Sequence, residues 1–567
     1  MIAIKAVFQK ERKKDSLAAL LIFFVILSLY FVSLPYPFLW DDEVSLTQNP
    51  GFGTPRYVRE IFTKHFFDAG LQQKFSPQRG FYRPLVGLSF LLDRLIWGMQ
   101  AYGFRLTNII LHAATCIAFY FLFKRLNFSP GISFLCTFIY AVHPVHIGSV
   151  AYVSGRTDVL RTLFMLLAFL SYWDRKLLPS FVFSVCAFLS KEDAVVLPGL
   201  FFASDIILKK KFSKTVIPYL LLIPAYMLFR RYYLNAHDLH GMKTSFFYYA
   251  TLAKSVFVYL RIIVFPFDLH FERFHPIVTS FVSGAYYILA FFVLFFLALK
   301  ISWNRPVALF SLISFGVVFL PVSNIVPIYY RYSDVYLFLS DHFLYMPLMF
   351  IILFTLSLMP PLKIITRTFV LASYIVLCAF FLFFFATSIR VWRDKEIFYK
   401  DIIKKSAFPF RAYNNLAAYF EKRGDSRCLE YLKKLKKIMP PDYVYYYIVK
   451  THWHYFQEHD LEKTIQTFEE AIGNGVRVPL VYYGLGDVWF EKGDVQKAIN
   501  YYEEGLRLSS TSDADALFRL GFLYYCQGDR ISLEKALGYF VKSNDLNRSE
   551  TAERYMIKTK KLLFLER

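Results

Sequence analysis

Long apolar runs recur across positions 16–388, and nothing else narrows the fold as far. A run of about twenty apolar residues is long enough to cross a bilayer as a helix. Lipid leaves only helices and closed barrels to satisfy the backbone internally. After the first run, 16–34, candidates lie at 104–123, 131–148, 158–173, 178–190, 193–208, 214–230, 249–266, 282–300, 306–321, 343–359 and 367–388. The 567 residues are 56% hydrophobic and 20% aromatic, with 64 Phe and 41 Tyr, more than a soluble enzyme carries. The reading is a polytopic membrane protein.

Charge sets the orientation. The net charge is +22, but Lys and Arg gather in cytoplasmic loops of membrane proteins, and no zinc-finger or RNP-like pattern points to nucleic acid. The basic leader (Lys5, Lys10, Arg12, Lys13, Lys14) places the N-terminus in the cytoplasm. No cleavage pattern precedes Ser16, so the first run reads as an uncleaved anchor. Alternation then puts Lys124-Arg125, Arg175-Lys176 and Lys209-Lys210-Lys211 inside. Lys300/Arg305 and Lys363/Arg367 also fall inside if 249–266 lies along the outer interface, an arrangement that Arg261, Asp268, Glu272 and Arg273 at its end favour. The expectation is an all-α chain with about eleven spans, followed by an outer C-terminal region. Between the first two spans, 35–103 forms an outer loop with one or two helices lying on the membrane. The six cysteines are scattered, without metal or disulfide spacing.

From about 405 the pattern changes to polar and apolar residues at helical period. Leu485-Gly486, Trp489, Gly493-Asp494, Ala498 and Tyr502 match the 34-residue tetratricopeptide pattern. Tyr455, Asp460, Thr464, Phe468 and Ala471 sit one period earlier. Leu520-Gly521, Tyr524, Gly528-Asp529, Ala536 and Phe540 sit one later, and a weaker copy starts at Leu416-Ala417. Four helix pairs and a closing helix can bury one another as a solenoid over 405–567. Tyr443, Tyr445, Tyr446, Tyr447, Trp453 and Tyr455 either fill its core or stack on a sugar or peptide.

Polar groups inside spans are costly, so they mark a cavity. Here they share the outer side. Trp40-Asp41-Asp42-Glu43 leaves the first span, and Asn108 and His112 share one helix face. His143-Pro144-Val145-His146, Gly155-Arg156-Thr157-Asp158 with Arg161, Ser190-Lys191-Glu192-Asp193 and Asp341-His342-Phe343-Leu344-Tyr345 follow. Each has a plainer use: Asp41 or Asp42 as a helix cap, Asp158 and Arg161 as a self-neutralising pair, His143 as a satisfied helix end, Lys191 snorkelling. Tyr345 with Tyr329, Tyr330 and Tyr332 reads equally as an interfacial belt. Their coincidence on one face fits a lipid-borne anionic substrate. Asp41, Asp42 and Glu43 leave room for a divalent cation in outer-shell fashion, although no ligand spacing requires a metal or other cofactor.

The order of these motifs, with Phe81-Tyr82-Arg83-Pro84-Leu85, Val391-Trp392-Arg393-Asp394 and Tyr413-Asn414-Asn415-Leu416, resembles the transmembrane and tetratricopeptide-repeat O-mannosyltransferase-like proteins and their prokaryotic relatives. The resemblance runs along essentially the whole chain. It implies a GT-C membrane glycosyltransferase domain over 1–400, an inverting transfer from a polyprenyl-phosphate sugar, and a protein or glycan acceptor outside the cytoplasm. Relatives often carry Glu-Arg where this chain has Asp341-His342, so a fixed positive charge becomes titratable.

On that reading Asp42 is the general base for the acceptor hydroxyl, with Asp41 as second choice or orienting group. Arg156, then Lys191 and His342, would hold the donor phosphate. Tyr82, Arg83, His143, His146, Asp158, Glu192 and Tyr345 would line the substrate site. Two other readings use the same features: a non-enzymatic assembly factor working through its repeats, and a transporter of lipid-linked sugars. The latter predicts inverted repeats, and 16–388 shows no convincing internal copy.

Overall fold

The computed structural model describes residues 2–67, 69, 81–233, 245–325, 336–359, 364–509 and 513–565. Tyr329, Tyr330 and Tyr332 lie outside the described residues. The chain divides into two compact units, Met1–Pro409 and Phe410–Arg567.

In the first unit, five helices are long and apolar enough to cross a membrane: Lys13–Ser33, Ala101–Arg125, Phe246–Val264, Phe281–Ser302 and Leu371–Arg393. With the bent pair Pro130–Val142 and Pro144–Val150 taken as one span the number among the described residues reaches six, fewer than the eleven expected, and the cause is visible in the chain. The run 131–148 bends by 52° at His143-Pro144, where proline removes a backbone donor. The run 193–208 breaks into Glu192–Val196, Leu197–Ala203 and Ser204–Leu208. Leu177–Phe188 and Pro347–Leu358 have 12 residues each, too few to span alone. The segment assigned to the interface, 249–266, is mostly the 19-residue helix Phe246–Val264, which has the length and apolarity of a span.

The fold also contains sheet, against the all-α expectation. Arg273–Pro276 pairs antiparallel with Tyr336–Leu339, in register Arg273↔Leu339. Phe274, Leu337 and Leu339 are buried there.

The described residues of the segment 35–103 pack onto the helices. Thr54 caps Pro55–Thr63 by accepting from the Tyr57 N–H, with Pro55 at the first turn. Pro84–Trp97 follows. Phe38, Leu46, Phe52, Tyr57, Ile61, Val86 and Phe90 form one apolar cluster with Phe104, Val153 and Leu160. That cluster pins the acidic segment against the starts of Ala101–Arg125 and Arg156–Trp173.

The second unit consists of helix pairs: Phe410–Glu421 with Arg427–Lys436, Val444–His452 with Leu461–Gly473, Pro479–Glu491 with Val495–Leu508, and Ala514–Gln527 with Arg530–Leu546, then Glu550–Leu565. Gly493 has φ +90°, where a side chain would be strained, and Asp494 next to it caps the following helix. One period earlier His459 takes the same left-handed turn at φ +52°, and Asp460 caps. Gly486 and Gly521 let paired helices close up: a Cβ would stand 2.6 Å from the Tyr502 ring and 2.9 Å from the Phe540 ring. Of the aromatics near 450, Tyr446, Tyr447 and Trp453 are buried in this unit. Tyr455 is half-buried and donates to Glu491.

Candidate functional site

The acidic segment is held by a cation that the sequence reading passed over. Arg105 is 1% exposed and serves four carbonyls: Nε donates to Ala151 O at 2.6 Å, Nη1 to Leu34 O at 3.1 Å and Tyr36 O at 2.7 Å, and Nη2 to Pro37 O at 3.0 Å. The planar fork of guanidinium suits this task, and lysine would not match it. The only signal for it in the sequence was a lone cation at the mouth of an apolar run.

Beyond this clamp, Trp40 adopts φ +54°, uncommon for a bulky side chain. Its indole sits against Phe271 and Tyr399, with ring centroids 5.6 and 5.7 Å away. This turn delivers Asp41 and Asp42. The Asp41 N–H donates to the Tyr152 hydroxyl at 3.1 Å, and Asp41 is half-buried. Asp42 is 1% exposed. Its Oδ1 accepts from the Ser154 N–H at 2.7 Å and the Ser154 hydroxyl at 2.5 Å, and its Oδ2 accepts from the Leu39 N–H at 3.2 Å. Burial pushes the Asp42 carboxyl up to about 6, against the hydrogen bonds from Ser154 and Leu39 that favour its ionised form. Glu43 pairs with Lys395.

Arg156 is not placed as the phosphate reading requires. It is 0% exposed and pairs with Asp93. Its Nε donates to Asn108 Oδ1 at 2.6 Å, Nη1 to Ser89 Oγ at 3.1 Å and Nη2 to Phe104 O at 2.6 Å, with Phe90 4.6 Å beneath. Every guanidinium nitrogen is engaged, so Arg156 is a structural tie between the helix Pro84–Trp97 and its neighbour Ala101–Arg125. Asn108 completes it, its amide donating to Val150, Tyr152 and Val153 carbonyls at 3.0–3.3 Å. The partner Asp93 lies in the apolar stretch 84–97, where no motif marked it.

A second polar cluster starts four residues after Ser154. Asp158 Oδ1 accepts from Lys191 Nζ at 2.7 Å and Arg161 Nη2 at 3.3 Å, and its Oδ2 lies 4.0 Å from His342 Nε2. Arg161 Nη1 also donates to Asp193 Oδ2 at 2.6 Å. Glu192 turns the other way and takes Arg83 by two bonds, 2.6 and 3.1 Å. Arg161 Nε and Asp193 Oδ1 are buried without a hydrogen-bond partner. Pairing of Asp158 with Arg161 is thus real but incomplete, and the cluster has hydrogen-bonding capacity left over. Burial lowers His342 to about 4 although Asp158 opposes this, so the ring is neutral at pH 7.

The remaining expected site residues separate into structural and buried ones. His143 does what a helix end does: its Nδ1 accepts from the Val145 N–H at 3.2 Å and its Nε2 faces Ile263 O at 2.9 Å. Tyr82 donates to Phe62 O at 3.1 Å and packs on Phe229. Tyr345 is fully buried, with its hydroxyl 2.7 Å from His112 Nδ1. His146 lies between Tyr140 and Tyr345, at 4.3 and 4.8 Å, with no hydrogen bond to either nitrogen. Among the described residues no three His, Cys, Asp or Glu side chains converge as a metal-ligand set.

Comparison with known proteins agrees with the architecture. Residues 479–512 match the tetratricopeptide repeat family. Protein O-mannosyl-transferase TMTC1 of Mus musculus is 40% identical over 147 residues, 25% of this chain and 15% of that protein. TMTC4 of Mus musculus is 33% identical over 169 residues, 27% and 22% of the two chains. Protein O-mannosyl-transferase F38B6.6 of Caenorhabditis elegans is 30% identical over 164 residues, 28% and 24%. The match thus spans less than a quarter of each relative's length. Among solved structures, yeast Tom70 aligns at 12% identity and TM-score 0.26, over 76% of this chain and 92% of that one, which is too distant to carry an argument.

Proposed function

We propose that the chain is a membrane glycosyltransferase that moves a hexose, of the mannose type, from a polyprenyl phosphate to an acceptor hydroxyl outside the cytoplasm. Its similarity to protein O-mannosyl-transferases and its apolar helices support the class. One observation carries the site: the segment Tyr152–Asp158 holds the acidic pair through Tyr152 and Ser154, and the cation cluster through Asp158. Four residues of chain reach at most about 14 Å, so an extended sugar phosphate can bridge the two.

In the proposed step the acceptor oxygen attacks the anomeric carbon as its proton passes to a carboxylate. The bond from that carbon to the phosphate oxygen breaks, and polyprenyl phosphate departs with the electron pair. Attack opposite the leaving group inverts the anomeric centre. Asp42 is occupied by three hydrogen bonds and lies out of contact with solvent, so the proton goes to its half-buried neighbour Asp41, while Asp42 anchors the pair. Lys191 and Arg161 take over the phosphate role first assigned to Arg156, stabilising charge that grows on the leaving oxygen in a water-poor site. His342 stands beside them as a neutral hydrogen-bonding group. The second unit presents the acceptor.

The test is incubation of the purified protein with polyprenyl-phosphate mannose, and with the glucose analogue, followed by donor hydrolysis or transfer. Asp41→Asn should abolish turnover while leaving the fold intact. Retained transfer in that variant removes Asp41 from the role, and no turnover of any donor by the wild type removes the enzyme reading.

A further inference from the structure

At one end of the first unit, the turns that follow Arg125, Trp173 and Leu208 meet the start of the first apolar helix. Side chains tie these segments together. Asp15 accepts from the Tyr120 hydroxyl at 2.6 Å and pairs with Lys124 at 3.3 Å. Arg125 pairs with Asp174 at 2.6 Å. Asp205 accepts from the Tyr172 hydroxyl at 2.5 Å and pairs with Lys209 at 3.1 Å. The Lys209 ammonium also stands over the Tyr172 and Trp173 rings, at 4.8 and 5.1 Å, which brings the turns 173–176 and 208–211 side by side. Each of these carboxylates is thereby matched to a cation.

Other cations at this end are not matched. Lys13-Lys14, Arg175-Lys176 and Lys210-Lys211 are all exposed, and none of them has a carboxylate partner among the described residues. They stand at a bilayer boundary. Two helices apolar enough to cross a membrane have ends here, Lys13–Ser33 at its first residues and Ala101–Arg125 at its last. Leu17, Leu178 and Phe212, a few positions along the same segments, are exposed too, so apolar surface lies beside the charge.

The bias of Lys and Arg toward cytoplasmic loops explains the sign of these residues. It does not explain their backbone. Arg175 has φ +57° and Lys210 has φ +50°, each just past the cap of the helix before it. Glycine is usual at such a left-handed position, because a Cβ is strained there. The Lys176 N–H donates to Ser171 O at 2.9 Å and the Lys211 N–H to Asp205 O at 3.0 Å, which closes both turns and fixes the cations they carry. A loose loop would hold the same charge without that strain. Fixed, exposed and unpaired cations at the depth of lipid head groups suit a lipid phosphate, and the guanidinium fork suits its oxygens.

We propose that this end of the unit holds the head group of an anionic phospholipid, its phosphate between Arg175-Lys176 and Lys210-Lys211 and its acyl chains against Leu178 and Phe212. The proposal requires that the apolar helices cross a membrane and is independent of the transferase reading.

The test adds palmitoyl-oleoyl phosphatidylglycerol or phosphatidylcholine to the purified full-length protein in neutral detergent and counts bound lipid by native mass spectrometry. The wild type should bind phosphatidylglycerol about tenfold more tightly than phosphatidylcholine. Arg175→Gly combined with Lys210→Gly removes two charges while relieving both turns, so the fold should hold. Phosphatidylglycerol binding should then fall by about tenfold, with phosphatidylcholine binding unchanged. Arg175→Asn with Lys210→Asn, also tolerated in the left-handed region, should show the same loss and decides the matter if the glycine variant does not fold. Equal binding of the two lipids by the wild type, or undiminished phosphatidylglycerol binding in a folded variant, overturns the proposal. Displacement of the lipid by inorganic phosphate, but not by chloride at equal ionic strength, overturns it in favour of free phosphate. Displacement by a polyglutamate peptide overturns it in favour of an acidic protein partner.

Discussion

Ser154 grips Asp42 twice on one oxygen, through its N–H at 2.7 Å and its hydroxyl at 2.5 Å. The bond joins the acidic segment to the residues just before Arg156–Trp173. Asp42 is therefore the hinge of the site more than its working edge.

That burial has a pH signature. Asp42 is raised from 3.8 to about 6 in the fold, so between about pH 4 and 6 the native state binds more protons than the unfolded chain. By linkage, stability falls as pH rises through that window, by up to about 3 kcal/mol, and is flat above it. Asp42→Asn lacks this slope. Melting temperatures of wild type and variant across pH 4–8 should diverge in that window, and parallel curves would contradict the assignment. Ser154→Ala, losing a bond that favours the ionised form, should extend the slope to higher pH.

Arg156 should behave as a structural residue. Arg156→Ala leaves Asp93, 2% exposed, as a buried charge without its partner, a loss of about 3–5 kcal/mol. Asp93→Leu added to Arg156→Met should restore most of it. Lys191→Ala, in contrast, should raise donor KM about tenfold with a smaller effect on melting. A double-mutant cycle on melting temperature, with donor titrations, separates the two.

Arg105→Lys keeps the charge but not the fork. One ammonium cannot serve the carbonyls of Leu34, Tyr36, Pro37 and Ala151 together. The expected cost is about 2–3 kcal/mol. Hydrogen exchange should quicken over 34–42, and unchanged exchange there would show that the clamp is not what holds the segment.

In the repeats, two glycines of the same unit should respond oppositely. Gly486→Ala drives a methyl to 2.6 Å from the Tyr502 ring, a loss of about 1–3 kcal/mol. Gly538 has nothing within 4 Å of its would-be Cβ, so Gly538→Ala should be neutral or stabilise its helix by up to about 1 kcal/mol. Chemical denaturation of the full chain followed by circular dichroism reads both.

The proposed sidedness can be tested at Cys526, the exposed one among the cysteines. A membrane-impermeant maleimide should label it in intact cells, and Cys526→Ser should remove the signal. Labelling that appears only after permeabilisation would put the repeat unit in the cytoplasm.

What the sequence could determine is what a few neighbouring residues encode. Apolar length marked the membrane helices, 34-residue periodicity marked the repeats, and the step from Gly493 to Asp494 marked a turn and its cap, because each is set within one or two turns of chain. The motifs at 155–158 and 190–193 were legible as polar groups in apolar surroundings. Their partners were not. Whether Arg156 meets a phosphate or Asp93 depends on a contact 63 positions away in sequence, and whether Asp42 works or anchors depends on Ser154, 112 positions away. The strand pairing of Arg273 with Leu339 is equally non-local. The number of helices long enough to span was not legible either: Leu177–Phe188 and Pro347–Leu358 stop after 12 residues and the run 131–148 bends at His143-Pro144, yet hydropathy reads them all as apolar. Local propensity is written residue by residue, but a buried charge takes whichever partner the fold brings within about 3 Å.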